Sequence, residues 1–147
     1  MRQITNSLRA SFFIAIGCFL LSVSSCKKKD TIAPLDQNKV NLSGVGTIPT
    51  KWNLTTLTSS GVVLTLTYTQ KRYSKTFGKN GAYSDTDGFV GTWDLPTNEQ
   101  LIERYVNFPS GTPSTQSYQI VSISATNLIL SYTSNGTPIT AVYTAGN

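Results

Sequence analysis

The chain has 147 residues and a net charge of +5, from 12 Lys plus Arg against 7 Asp plus Glu, and it contains no His. That length holds one domain, and 21 Thr with 10% aromatic but only 13% charged residues favour strands. The missing His excludes His-based triads, His general bases and His-ligated metal sites.

Arg2 and Arg9 accompany an apolar run from Ala10 to Leu21, too short to span a bilayer as a helix and suited to a secretory h-region. Behind it, Val23-Ser24-Ser25-Cys26 resembles the lipobox of bacterial lipoproteins. That resemblance implies a signal peptide over residues 1–25, an acylated (palmitate-type) Cys26 and a mature chain of 147 − 25 = 122 residues. At least two acyl chains would then hold the protein stably at a membrane without crossing it. Cys18 leaves with the signal, so no disulfide and no thiol chemistry are expected.

Residues 26–46, the lipidated Cys26 followed by three lysines, Lys27 to Lys29, and then Asp30, keep no period of 2 or 3.6 after the cysteine and read as a flexible tether. The lysines either touch anionic headgroups, at roughly 1 kcal/mol per charge, or form a solvated spacer. The Ser25-to-Asp30 string is similar to lipoproteins of the Bacteroidetes, and Asp30-Thr31-Ile32 resembles that group's O-glycosylation signal, with Thr31 as acceptor. No acidic run resembling that group's surface-export signals follows Cys26. The expected address is therefore the outer membrane facing the periplasm, with surface exposure as the alternative. Removing the signal and residues 27–30 leaves +1 over residues 31–147. A nucleic-acid face, which needs clustered Lys and Arg on the folded part, is not expected.

The folded part, residues 47–147, reads as short strands between turns. Trp52 to Thr58 opens the series. Val62, Leu64, Leu66 and Tyr68 alternate with Val63, Thr65, Thr67 and Thr69, predicting a strand with an apolar core face. Asn80-Gly81 and Asn135-Gly136 predict two-residue hairpin turns. Asp87-Gly88 leads into a strand with Phe89, Gly91, Trp93 and Leu95 on one face and Asp94 on the other. Leu101 to Phe108, Tyr118 to Ser124, Leu128 to Thr133 and Ile139 to Thr144 complete eight or nine strands. The predicted fold is all-β: a small antiparallel up-and-down meander closing into a barrel of about eight strands, with Trp93, Phe89, Leu66 and Leu130 inside. Closure is favoured because an open meander leaves two edges that lack protective Lys or Pro.

Lys51-Trp52-Asn53-Leu54, Phe77 to Tyr83, Gly91-Thr92-Trp93-Asp94-Leu95, Tyr118-Gln119-Ile120 and Asn127-Leu128-Ile129-Leu130 occur in an order and spacing that resemble the lipocalin-like domains of Bacteroidetes lipoproteins. The resemblance implies a lipocalin-like barrel on a membrane-anchored protein. The Gly-x-Trp of true lipocalins lies in their first strand and here is mid-chain, so lipocalin ligand residues do not transfer.

Without His or a free thiol, the inventory predicts a non-enzymatic binding or interaction module with no cofactor and no metal. The alternative is an accessory or structural subunit of an envelope or glycan-capture complex. Asp85-Thr86-Asp87-Gly88 begins like a calcium loop, but Phe89 to Thr92 lack the later ligands, so a turn is expected. Asp94 and Glu103 on neighbouring strands offer two carboxylates of the glycosidase kind or, the favoured reading, surface cross-strand charges. Parity along Leu101 to Phe108 puts Arg104 on the more apolar face, with Ile102, Val106 and Phe108. Arg104 would receive a ligand carboxylate or, the favoured reading, pair with Glu99 or stack on Trp93. Phe89, Trp93, Arg104, Phe108, Tyr118 and Tyr132 are the candidate binding residues. The expected partners are a small apolar ligand or an envelope protein, with the membrane reached through the lipid.

Overall fold

In a computed structural model of the protein, residues 33–45, 48, 50–107 and 110–146 are described. Cys26, Thr31 and the whole signal segment lie outside the described residues, as does Phe108.

The period-2 pattern becomes antiparallel strands: β1 (Thr50–Ser59), β2 (Val62–Leu64), β3 (Ser74–Phe77), β4 (Ala82–Asp85), β5 (Val90–Thr97), β6 (Gln100–Asn107), β7 (Thr112–Ile123), β8 (Asn127–Ser134) and β9 (Thr137–Gly146). Two helices accompany them, α1 (Pro34–Ser43) and α2 (Tyr68–Lys71). From β3 onward each strand pairs with the next, and β1 pairs with both β3 and β9, so eight strands close into an up-and-down barrel. Closure runs from Lys51 opposite Gly146 to Ser59 opposite Ile139. β2 is the extra strand, bonded to β1 alone through Leu57 to Ser59.

Register shifts explain where the apolar positions change parity. In β1, Trp52 and Leu54 are buried, an irregularity falls between Leu54 and Thr56, and Leu57 then packs against the same core. In β7 the shift between Ile120 and Ser122 moves the inward set from Tyr118 and Ile120 to Ile123. One extra residue in a strand reverses which face the following side chains take.

The Asn135-Gly136 turn forms as the sequence predicts, with φ of 49° and 79° between Ser134 and its partner Thr137. Ser60-Gly61 makes an equivalent turn, at 48° and 83°, between β1 and β2. Asn80-Gly81 does not. Only Gly81 has positive φ, Gly81 N donates to Gly78 O at 3.0 Å, and Gly78 N donates to Ala82 O at 2.8 Å. This is a three-residue loop, a turn closed by a left-handed glycine, rather than a two-residue hairpin.

Two further expectations are corrected. The strand over Val62–Thr69 ends at Leu64, and Val62, Val63, Leu64 and Tyr68 are exposed, while Leu66 is only partly buried. The competing signal is Thr67-x-x-Gln70: Gln70 N donates to Thr67 Oγ1 at 3.3 Å and Thr67 N donates to Gln70 Oε1 at 2.9 Å. This capping box starts α2 and turns the chain away from the ladder.

The tether expected over 26–46 contains α1, which belongs to one compact unit with the barrel. Pro34 suits the first turn, where its missing N–H is no loss, and Gly44 ends the helix at φ 86° with its N–H donating to Val40 O at 2.8 Å. Sequence periodicity missed α1 because it carries few apolar residues, and of these Leu42 alone is fully buried.

The β3–β4, β5–β6 and β7–β8 turns share one barrel end, and α1 closes it. Trp52 Nε1 donates to Leu42 O at 2.8 Å, Asn38 Nδ2 to Asn98 O at 3.0 Å and Lys79 Nζ to Val45 O at 2.7 Å. α2 and the β4–β5 and β8–β9 turns surround the opposite end.

Candidate functional site

The barrel interior is apolar near α1, where Leu42, Trp52, Phe77 and Leu95 are buried. Phe77 meets Trp93 edge-on at 5.8 Å between ring centroids, and Trp93 Nε1 donates to Gly78 O at 2.8 Å. Further in, three strands each place a charged residue at an inward position between apolar or aromatic neighbours two residues away: Lys75 between Tyr73 and Phe77, Glu103 between Leu101 and Tyr105, and Asp85 beyond Tyr83.

Lys75 and Glu103 are both fully buried and form the one ion pair among the described residues. Lys75 Nζ donates to both Glu103 oxygens and to the Tyr118 hydroxyl, each at 2.7 Å, and Tyr118 in turn donates to Glu103 Oε2 at 3.1 Å. Its ammonium also lies 4.2 Å from the Tyr118 ring centroid. Burial pushes the Lys75 amine down and the Glu103 carboxyl up, toward their neutral forms; their mutual attraction and shared hydrogen bonds oppose this in both. With three acceptors on three N–H groups, the ammonium is saturated and offers no lone pair for nucleophilic attack.

Asp85 is equally engaged. Oδ1 accepts the Asp87 and Phe89 amides, each at 3.0 Å, and Oδ2 accepts the Tyr73 hydroxyl at 3.0 Å and the Tyr83 hydroxyl at 2.8 Å. The Asp85-to-Gly88 segment is thus the expected turn, its first carboxylate fastening the β4–β5 connection.

Gly91 in β5 lies between Tyr83 of β4 and Tyr105 of β6. Having no side chain, it leaves the two rings free to approach across it, with centroids 6.0 Å apart, and Phe89 closes on Tyr105 at 4.9 Å.

A cavity of about 240 Å³ enters at the end away from α1. Leu54, Leu57, Tyr73, Lys75, Tyr118, Tyr132 and Tyr143 form its walls, and Thr69, Gln70 and Asp87 its rim. Tyr118 and Tyr132 meet edge-on at 5.3 Å. Tyr143 is only 4% exposed, yet neither its hydroxyl nor that of Tyr132 has a protein partner among the described residues; both are left to whatever occupies the cavity. Burial, and after it the Glu103 charge, raises both phenols and keeps them protonated. Burial and then Asp85 raise the rim carboxyl of Asp87.

Of the candidate binding residues, Tyr118 and Tyr132 line this cavity. Trp93 and Phe89 belong to the packed interior beside it. Arg104 is exposed: it faces out of the barrel, and Glu103 faces in. The parity of β6 is therefore the reverse of the one its apolar residues suggest, because Lys75 supplies the counter-charge that lets a glutamate be buried there. The carboxylate pair fails for the same reason. Asp94 is exposed and stands opposite Ile102, whereas Glu103 is buried opposite Trp93.

Lys75, Tyr73, Tyr83 and Tyr143 were not singled out from the sequence, and Glu103 was read only as a surface carboxylate paired with Asp94, whereas it is buried. The signal that locates them is a lysine in one strand and a glutamate in another, each flanked at ±2 by apolar or aromatic residues. Comparison of the chain with protein-family models, curated proteins and solved structures finds no match.

Proposed function

We propose that this chain is a membrane-anchored lipoprotein whose barrel binds a small ligand at its open end without altering it. The observation that carries this reading is the cavity itself: a barrel closed at one end by α1, open at the other, with buried Tyr143 presenting an unpartnered hydroxyl to the opening. Barrels of eight strands are just wide enough either to be filled by side chains or to hold one small ligand. Here the α1 end is filled and the mouth is not. The lipobox-like segment ending at Cys26 and the lipocalin-like motif order support the anchor and the binding role, with the outer membrane facing the periplasm as the address.

The test is native mass spectrometry of the full-length lipidated protein taken from its own envelope into a mild polyoxyethylene detergent. A retained small species that disappears in Leu57→Trp, a change that fills the cavity, supports binding. Spectra in which neither protein carries a retained species refute it. Loss of acylation in Cys26→Ser checks the anchor.

A second reading, an accessory subunit of an envelope or glycan-capture complex, is favoured by β2, whose outer edge is unpaired among the described residues and whose Val62 and Val63 are about two-thirds exposed beside exposed Tyr68. Such edges template pairing with another chain. Isolation of the anchored protein as a lone monomer counts against it.

A further inference from the structure

The hydrogen-bond inventory of the cavity says what kind of ligand it suits. Lys75 has spent its three donors on Glu103 and Tyr118, and all the carboxylate oxygens of Glu103 and Asp85 are already accepting. Among the described residues, the polar atoms around the opening without a protein partner are the Tyr143 and Tyr132 hydroxyls, the Thr69 hydroxyl, the Gln70 amide nitrogen and the Asp87 carboxylate. These are mostly neutral groups, each able to donate to, or accept from, a hydroxyl. Leu54, Leu57 and the tyrosine rings supply apolar surface between them.

Three ligand classes fit poorly. An anion would enter beside Glu103, Asp85 and Asp87, three negative charges against Lys75 alone, and Lys75 has no donor left for it. An organic cation would enter beside the Lys75 ammonium, which lies 4.2 Å from the Tyr118 ring centroid, and a quaternary one would bring neither donor nor acceptor for the Tyr143 and Tyr132 hydroxyls. A purely apolar ligand, the kind the sequence suggests, would cover the Tyr143 hydroxyl, now accessible from the opening, and give it no partner, which is unfavourable.

A neutral molecule with hydroxyls around an apolar ring satisfies every group at once. The size agrees. A cavity of about 240 Å³ holds on the order of eight waters at roughly 30 Å³ each, and covalently bonded atoms pack more tightly, so one six-membered ring with its substituents fills it.

Resting on the reading of this cavity as a ligand site, we propose that it takes a neutral polyhydroxylated ring of single-sugar size. Tyr143 and Tyr132 hydrogen-bond the ring hydroxyls, Gln70, Thr69 and Asp87 bond those at the rim, and Leu54, Leu57 and the Tyr118 ring pack on the C–H face.

The test titrates the full-length protein, in a polyoxyethylene detergent free of sugar groups, by calorimetry and ligand-observed saturation transfer. The probes are methyl β-D-glucopyranoside, methyl β-D-galactopyranoside and myo-inositol, set against hexanoate, tetramethylammonium and cyclohexane-methanol. Saturable binding of at least one of the first three, ahead of the other three, is expected; which of them binds separates a sugar from a cyclitol. Tyr143→Phe keeps the ring and the volume, so it should weaken that probe about five- to tenfold, as for loss of one neutral hydrogen bond, with the circular dichroism unchanged. Should Tyr143→Phe fail to fold, Tyr132→Phe carries the same expectation. Binding of hexanoate, tetramethylammonium or cyclohexane-methanol ahead of all three polyols overturns the ligand class while leaving the binding role intact. No binding in either set, with nothing retained in native mass spectra, overturns both. Polyol binding unaffected by both tyrosine variants overturns the site.

Discussion

Replacing Glu103 by Leu would leave the Lys75 ammonium fully buried with one acceptor, the Tyr118 hydroxyl, where it now has three. Uncovering one partner of a buried pair costs about 3–5 kcal/mol, because the remaining charge is neither hydrated nor compensated. Lys75→Met should cost a similar amount, since it strands the Glu103 carboxylate with only the Tyr118 hydroxyl as donor. The pair has also been desolvated, however, and apolar groups of matching size remove that cost along with the attraction. The double variant Lys75→Met with Glu103→Leu should therefore recover to within about 2 kcal/mol of the wild type. Urea titrations of the four proteins at neutral pH, with the slope checked for constancy, give the cycle directly. The reasoning is refuted if either single change costs less than about 1 kcal/mol, or if the double variant is as unstable as the sum of the two.

Trp52→Ala and Trp93→Ala should each lower stability by about 3–5 kcal/mol in the same titration, since both indoles are buried and both N–H groups bond backbone carbonyls; a loss below about 1 kcal/mol for either would show that it is not core. Gly91→Ala should cost at least about 1–3 kcal/mol, because a Cβ there overlaps the Arg104 carbonyl oxygen and comes within 2.6 Å of Tyr105 Cα; an unchanged urea midpoint would contradict the close approach of β5 to β6. Burial raises the phenols of Tyr73, Tyr83, Tyr118 and Tyr143 above their ordinary 10.0, with the Glu103 charge adding to all four. A folded-state pKa above the unfolded one gives stabilisation that is complete below about pH 10 and lost as pH rises further. Phenolate absorbance from these four should thus appear together with loss of the strand signal in circular dichroism; titration of all the tyrosines near pH 10 in an intact fold would refute it.

The closed barrel was legible because period-2 alternation and turn residues recur along the chain, and the Gly91-Thr92-Trp93-Asp94-Leu95 strand took the face its pattern indicates. The cavity was legible only in part, through Tyr118 and Tyr132. Its charged layer was hidden because polar-out alternation assigns Lys75 and Glu103 to solvent when each strand is read alone. The two charges are tolerated inside only as a pair, and they come from strands that do not adjoin in the sheet. α1 was hidden for a different reason. Ten residues with one fully buried leucine leave no stripe to detect, and the helix is held largely by what the barrel end offers it: the Trp52 indole, the Asn98 carbonyl and the Phe77 neighbourhood.

The seam between β1 and β9 joins Lys51 to Gly146, 146 − 51 = 95 positions apart, and this sets the order in which the molecule can be made. A chain emerging from its N-terminus has β1 early and β9 last. Until the final ten-residue strand is free, the growing sheet carries two open seam edges besides that of β2, one on β1 and one on β8, with Leu54 and Leu130 still uncovered. Such edges invite pairing with neighbouring chains, and contacts this distant in sequence form slowly because a long loop has to close first. Completion of the fold is therefore a C-terminal event. A chain ending before Thr137 would lack the seam and present those two edges together, an aggregation-prone intermediate with no strand left to resolve it.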